Sequence, residues 1–462
     1  MIGVAVDIRD TLEAFDRRER TAEQAVGVAL ARIADPRDQG PVAFLEVYAE
    51  QALGEARAWD ARRAQGLPLP PLAGIPFSVK DNFDVRGSTT RAASPVLDGM
   101  PPAIADAPFL ARIRALGAVL VGRTNMTAFA YSGLGLNPHH GTPRSPLGRD
   151  AGLIAGGSTS GGAVSVAEDM VSFAIGSDTS GSCRIPAACC GLVGYRPSKT
   201  RHSIEGIVPL APTFDVPGLI TRDVGGMEIL LAAMGGRTGS DSVDGVPGRD
   251  AAANGAAGRR FLVPTDQLLS ETDIDIERRF AAVLSAFRSA GATIEFGPFF
   301  FDTIATSVVP SEVLPHEALW LHGPLLAAHR DRYDPRIAMR LDQAKLISAA
   351  TYRERIEALH ALRGASDRLL EGYDAVLLPT LPIVPPTIDQ LQDVAEYTRL
   401  NGLIIRNTAI ANHLDLPALA LPMGLVSEAR LPASLQLIGR RDGDEALLAI
   451  ATELELIADQ ED

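Results

Sequence analysis

Apolar residues recur along the chain at two spacings, and these divide it into elements. Residues 10–34 and 42–64 repeat apolar positions at helical spacing, and the turn-rich stretch RRAQGLPLPPLAG closes the second run. GIPFSVKDNFDV, residues 74–85, alternates instead: Ile75, Phe77 and Val79 lie on one side and Ser78 and Lys80 on the other, predicting a half-buried strand. DAPFLARIRALGAVLVGRTN reads as a helix, a Gly-Ala turn and a short apolar strand, and IERRFAAVLSAFRSAGATIEF repeats that unit. VSFAIGSD, RRFLVPTD, YDAVLLPTLPI, LPALALPMG and PASLQLIGRR read as further short, buried strands. Residues 303–370 are helical in pattern and predict a cap or flank, while 235–260, rich in Gly, Ser and Asp, predicts a surface connection. The fold class is α/β. With no repeat and no clear boundary, residues 1–462 are expected to form one domain.

Charge narrows the function. The formal charge of −14 argues against nucleic acid and anionic membranes as partners. No apolar run approaches the roughly 18 residues of a membrane span, and the first residues lack the basic start and apolar run of a signal peptide. The three cysteines, Cys183, Cys189 and Cys190, suit reduced thiols better than a disulfide framework, so a cytoplasmic location is expected. No Cys/His cluster completes a zinc site, so neither metal nor cofactor is expected. Among 43 basic residues only Lys80, Lys199 and Lys345 are lysines. Lysine can do one thing that arginine cannot: lose its proton when buried.

The stretch GGSTSGGAVSVAEDMVSFAIGSDTSGSCRIPA, residues 156–187, concentrates the candidate chemistry. Gly162 is followed by Ala163, so a phosphate-binding P-loop is excluded, and G-x-S-x-G is absent. After Gly162, helical spacing at Ala163, Val166, Ala167 and Met170 places the first Ser/Gly run at a helix N-terminus. The second run, TSGS, follows a strand. Its small residues let backbone N–H groups converge where negative charge develops.

Together, the strand around Lys80, GGSTSGG around Ser158 and DTSGSCRIPAACCGLVGYRPS around Ser182 resemble the amidase signature family. Twenty-four residues separate Ser158 from Ser182, as in that family, and weaker likenesses at GRTNMTAFAYSG, YDAVLLPTLPI, LDLPALALPMG and ASLQLIGR extend over nearly the whole chain. The resemblance implies a large mixed central β-sheet covered on both faces by helices. It implies a hydrolase of C–N bonds in small carboxamides, with carbamates and urea-like amides within its range. Ser182 is then the acylated nucleophile, and Ser158, held in a cis peptide, relays protons between Ser182, Lys80 and the leaving amine. Backbone N–H groups of Thr179, Ser180 and Gly181 form the oxyanion hole. The resemblance also implies that Met126, Thr127 and Tyr131 line the acyl pocket, although the spacing of Met126 and Tyr131 fits core positions equally well.

Ser180 and Cys183 depart from the residues many members carry there. A hole built from backbone N–H tolerates Ser180, and Cys183 is expected to be a buried spectator. Asp178 and Arg184, six residues apart around the nucleophile, are expected to pair and hold the loop. The expected partner is a small-molecule amide, with a homodimer left open. Two alternatives stand beside this: the amidase subunit of a tRNA-dependent glutamine amidotransferase, and a catalytically silent binding protein of the same fold.

Overall fold

The computed structural model describes residues 7–235, 256–266, 270–300, 310–427 and 430–458. Eleven strands among them form one sheet: β1 (Phe44–Val47), β2 (Pro76–Lys80), β3 (Val119–Thr124), β4 (Phe173–Asp178), β5 (Val193–Arg196), β6 (Val216–Thr221), β7 (Arg260–Pro264), β8 (Thr293–Gly297), β9 (Ala375–Pro379), β10 (Ala418–Val426) and β11 (Leu431–Ile438). Their spatial order is β1-β3-β2-β4-β6-β5-β10-β11-β9-β7-β8. β2 runs parallel to both β3 and β4, and β7 to both β8 and β9, while the other pairings are antiparallel. The sheet is therefore mixed, with helices covering both faces.

That double cover corrects the expectation for β2. All five of its residues are buried, including Ser78 and Lys80. The alternation separates two buried faces rather than a core face from a wet one. One face packs Phe77 against Phe173 of β4, ring centroids 5.1 Å apart and planes nearly parallel. On the other, Ser78 Oγ lies 3.0 Å from Ser165 Oγ of the helix Ser160–Ala167. Because β2 and β4 are parallel, Lys80 and Asp178 emerge at the same edge of the sheet, the usual place for a site in such sheets.

Most predicted elements are present, including the helix–turn–strand units ending in β3 and β8 and the later strands β7, β9, β10 and β11. The run 10–34 is two helices, Ile8–Asp16 and Ala22–Ala34, the second opened by a Thr21/Gln24 capping box. The run 42–64 loses residues 44–47 to the short edge strand β1, which helical periodicity conceals. β6 also has no clear signal, because VPGLIT contains Pro and Gly. Pro217 is tolerated because β5 pairs only with residues 219–221, so this part of the strand has a neighbour on one side. The predicted helical flank comprises Pro310–His329, Pro335–Ala344 and Ala349–Leu370. Its residues 303–309, and residues 236–255 of the predicted surface connection, lie outside the described residues. Among the described residues no helix is long and apolar enough to cross a membrane.

Candidate active site

Lys80 ends β2 with its ammonium fully buried. Its Nζ donates to Ser158 Oγ at 2.7 Å, to Ser177 Oγ at 2.9 Å and to the Ser177 carbonyl at 3.3 Å. Asn82 Nδ2 donates to the same Ser177 hydroxyl at 3.0 Å and so fixes its direction. Among the described residues no carboxylate lies within ion-pair distance of Nζ. Burial, only partly opposed by the negative charges of Asp178 and Asp215, lowers the Lys80 pKa from 10.5 to about 8.

Ser158 follows a cis Gly157–Ser158 peptide. A Cβ at residue 157 would sit 2.6 Å from the Gly135 nitrogen and 2.9 Å from Thr127 Oγ1, so only glycine fits there. The Thr127 N–H donates to the Ser158 carbonyl at 3.1 Å, and the Thr159 N–H to the Ser182 carbonyl at 3.3 Å, tying the two serine segments together. Among the described residues neither Lys80 nor Ser158 hydrogen-bonds the Ser182 hydroxyl. The structure thus joins Lys80 to Ser158 directly and brings Ser182 alongside through the backbone.

The loop from 179 to 183 hangs from one buried ion pair. Arg184 meets Asp178 through two hydrogen bonds, Nη2 to Oδ1 at 2.9 Å and Nε to Oδ2 at 3.1 Å, with both side chains fully buried. Burial alone would raise the Asp178 carboxyl, but Arg184 and Asn412 hold it well below the usual carboxylate range. The remaining Arg184 donors reach the Thr408 carbonyl (2.8 Å), Gln436 Oε1 (2.6 Å) and Asn412 Oδ1 (2.6 Å). Thr408 Oγ1 in turn donates to the Ser180 carbonyl at 2.6 Å, and Thr179 Oγ1 donates to Asp215 at 2.6 Å. A Cβ at Gly181, whose φ is +119°, would fall 2.1 Å from Thr408 Oγ1.

The same network takes up two of the loop's own N–H groups. The Gly181 N–H donates to Asp178 Oδ1 at 2.9 Å and the Cys183 N–H to Oδ2 at 3.1 Å, so the Gly181 donor is already engaged. The N–H groups of Thr179, Ser180 and Ser182 have no acceptor among the described residues.

Ser182 opens onto a narrow cavity of about 30 Å³ that Thr179, Ser180 and Tyr131 also line. Met126 and Thr127 are not part of its wall. Met126 is buried among Phe129, Tyr131 and Ile337, and Thr127 supports Ser158 from behind. Cys183 is buried, and burial together with Asp178 pushes its thiol up to about 12. It is a neutral thiol at ordinary pH. The cavity also receives Arg340, Asn401 and Ile405 from distant helices, and the motifs give no signal for these. Asp215 and Asn412 likewise lie outside the motifs, and Ser177 and Asn82 lie inside them without a signal of their own. Among the described residues no group of three or more His, Cys, Asp or Glu side chains is placed to hold a metal ion.

The family model for amidases matches residues 26–448. The chain belongs to the amidase signature family. This amidase-family chain is 32% identical over 425 residues to 2-amino-5-chloromuconic acid deaminase of Comamonas testosteroni, covering 89% of this chain and 90% of that protein. It is 31% identical over 462 residues to a glutamyl-tRNA(Gln) amidotransferase subunit of Anaeromyxobacter sp. (strain K), covering 94% and 92% respectively. A crystal structure of an amidase superposes with a TM-score of 0.85 at 28% identity, covering 97% of this chain and 99% of that one.

Two consequences of this geometry are measurable. Arg184→Met leaves Asp178 buried without its countercharge and should destabilise the protein by about 3–5 kcal/mol; urea denaturation showing a loss below about 1 kcal/mol would contradict the network. Lys80 has a native pKa of about 8 against 10.5 unfolded. Between those values the unfolded chain binds the extra proton, so this group makes stability rise with pH. The difference in unfolding free energy between wild type and Lys80→Met should shift in favour of wild type by about 3 kcal/mol from pH 7.5 to 10.5. A difference that stays flat with pH would mean an unperturbed lysine.

Proposed function

We propose that the protein is a serine hydrolase that cleaves the C–N bond of small carboxamides, with carbamates and urea-like amides in range, through an acyl-enzyme on Ser182. The observation that carries this reading is the buried Lys80 amine, 2.7 Å from Ser158 Oγ, with its pKa lowered to about 8. A neutral amine has a lone pair to accept the Ser158 proton, and Ser158 then takes the proton of Ser182 as that oxygen attacks the carbonyl. The negative charge that develops on the carbonyl oxygen is met by the uncommitted N–H groups of Thr179, Ser180 and Ser182. Collapse of the tetrahedral intermediate breaks the C–N bond, and Ser158 returns the proton to the departing amine. Water then attacks the ester by the reverse relay and frees the acid and Ser182. No metal or cofactor enters this scheme. We further take the chain as one domain of a cytoplasmic protein, which the three buried, unpaired thiols support.

A second reading, in which the chain draws ammonia from glutamine for a tRNA-dependent amidotransferase, is favoured by its likeness to the Anaeromyxobacter protein. It requires partner chains. The isolated chain should release ammonia from simple amides without them; release from glutamine alone, and only on adding the partners, would support the second reading. A silent binding protein would release none.

The proton relay has its own signature. Ser158→Ala should slow amide hydrolysis by well over the roughly ten-fold that loss of one ordinary hydrogen bond brings. A matched ester, whose leaving group needs less protonation, should suffer less. Lys80→Arg should be inactive on both, because its cation accepts no proton. Equal losses for ester and amide in Ser158→Ala, or normal turnover in Lys80→Arg, would remove these residues from the relay.

A further inference from the structure

The cavity beside Ser182 holds one charged side chain, Arg340, and no acid. Arg340 lies on the helix Pro335–Ala344 and is half-buried. Its Nη1 donates to the Tyr131 carbonyl at 2.6 Å, and its guanidinium carbon lies 4.0 Å from the centre of the Tyr131 ring. One turn earlier, Arg336 pairs with Asp334 at 2.8 Å. Arg340 has no carboxylate within ion-pair distance among the described residues. Its contacts fix the guanidinium in place and leave donors of the fork unused.

Tyr131 and Asn401 line the same cavity. The Tyr131 hydroxyl is buried without a hydrogen-bond partner. Asn401 Oδ1 accepts from Ser132 Oγ at 2.8 Å and from the Gly133 N–H at 3.0 Å. An N–H can only donate, so the amide is oriented with its Nδ2 hydrogens uncommitted. A buried hydroxyl without a partner is costly in a folded protein and calls for one from outside. A planar guanidinium with two neutral donors beside it matches a carboxylate in charge and in shape.

We propose that Arg340, with the Tyr131 hydroxyl and the Asn401 side-chain amide, receives a carboxylate of the substrate. The enzyme then acts on amides that also carry a free carboxylate, namely monoamides of small dicarboxylic acids. The reaction in this statement rests on the amidase reading above, whereas the binding site does not. No Asp or Glu lines the cavity to pair with an α-ammonium, so the site disfavours amino-acid amides such as glutamine.

Malonamate, succinamate and glutaramate can be compared with propionamide, butyramide and valeramide, which match them in length but end in a methyl group. L-glutamine differs from glutaramate by the ammonium alone. In wild type the best acid amide should exceed its neutral partner in kcat/KM by about ten-fold or more, the yield of one charge-assisted hydrogen bond. Arg340→Gln should collapse that ratio towards one, mostly through KM, and Arg340→Lys should restore part of it. Tyr131→Phe keeps the ring against Arg340 and should lower the ratio several-fold. Calorimetry with glutarate and succinate on the Ser182→Ala protein reads the site without turnover, and Arg340→Gln should weaken this binding by about ten-fold or more. If no amide is hydrolysed yet a diacid binds through Arg340, the amidase reading fails and the carboxylate site stands. Equal kcat/KM for the paired amides, a preference for glutamine over glutaramate, or diacid binding that is absent or indifferent to Arg340→Gln would overturn the proposal.

Discussion

A lysine amine kept out of water, with only serine oxygens at bonding distance, sets the terms for the rest of this structure. An ammonium there loses its hydration, and no carboxylate compensates it at close range; a neutral amine loses far less. The sheet supplies the necessary dryness. β2 is flanked by parallel strands on both sides and covered on both faces, so Lys80 emerges from its end into protein rather than solvent. Had the alternation marked a solvated face, the same lysine would keep its ordinary pKa and would be useless as a base.

The other requirement is a loop that does not move. Thr179, Ser180 and Ser182 present their N–H groups only because Asp178 and Arg184 hold the turn from beneath, and because Asn412, Gln436 and Thr408 complete every donor of Arg184. Such a fully bonded buried pair contributes less to net stability than to a single geometry, and donors held in advance need no reorganisation when charge develops. Ser180 in place of glycine is tolerated for the same reason. Its carbonyl is gripped by Thr408 Oγ1, a contact that does not depend on the side chain at residue 180.

Much of this is legible in the chain, and the limits have physical causes. Lys80, Ser158 and Ser182 lie in short motifs whose residue types and spacing point to the chemistry, and Asp178 and Arg184 pair across six residues. The engagement of the Gly181 N–H also has a local cause, since an aspartate three residues upstream closes an Asx-type turn on it. Met126 sits in the same motif as Tyr131 but turns into the core, and only the packing of the helical flank decides which of the two meets the cavity. Asn412, Gln436, Arg340 and Asn401 reach the site from more than 150 residues away in sequence. Each is an ordinary residue in an ordinary helix or strand, and only the order of strands and helices gives it a role.

The central claim is that Ser182 accepts the acyl group while the neighbouring Cys183 stays a spectator. Reaction of the intact protein with a fluorophosphonate, followed by proteolysis and mass spectrometry of the peptide containing both residues, tests this directly. A single adduct on Ser182, absent from Ser182→Ala and undiminished in Cys183→Ala, is the predicted result. An adduct on Cys183, or an active Ser182→Ala protein, would contradict the account.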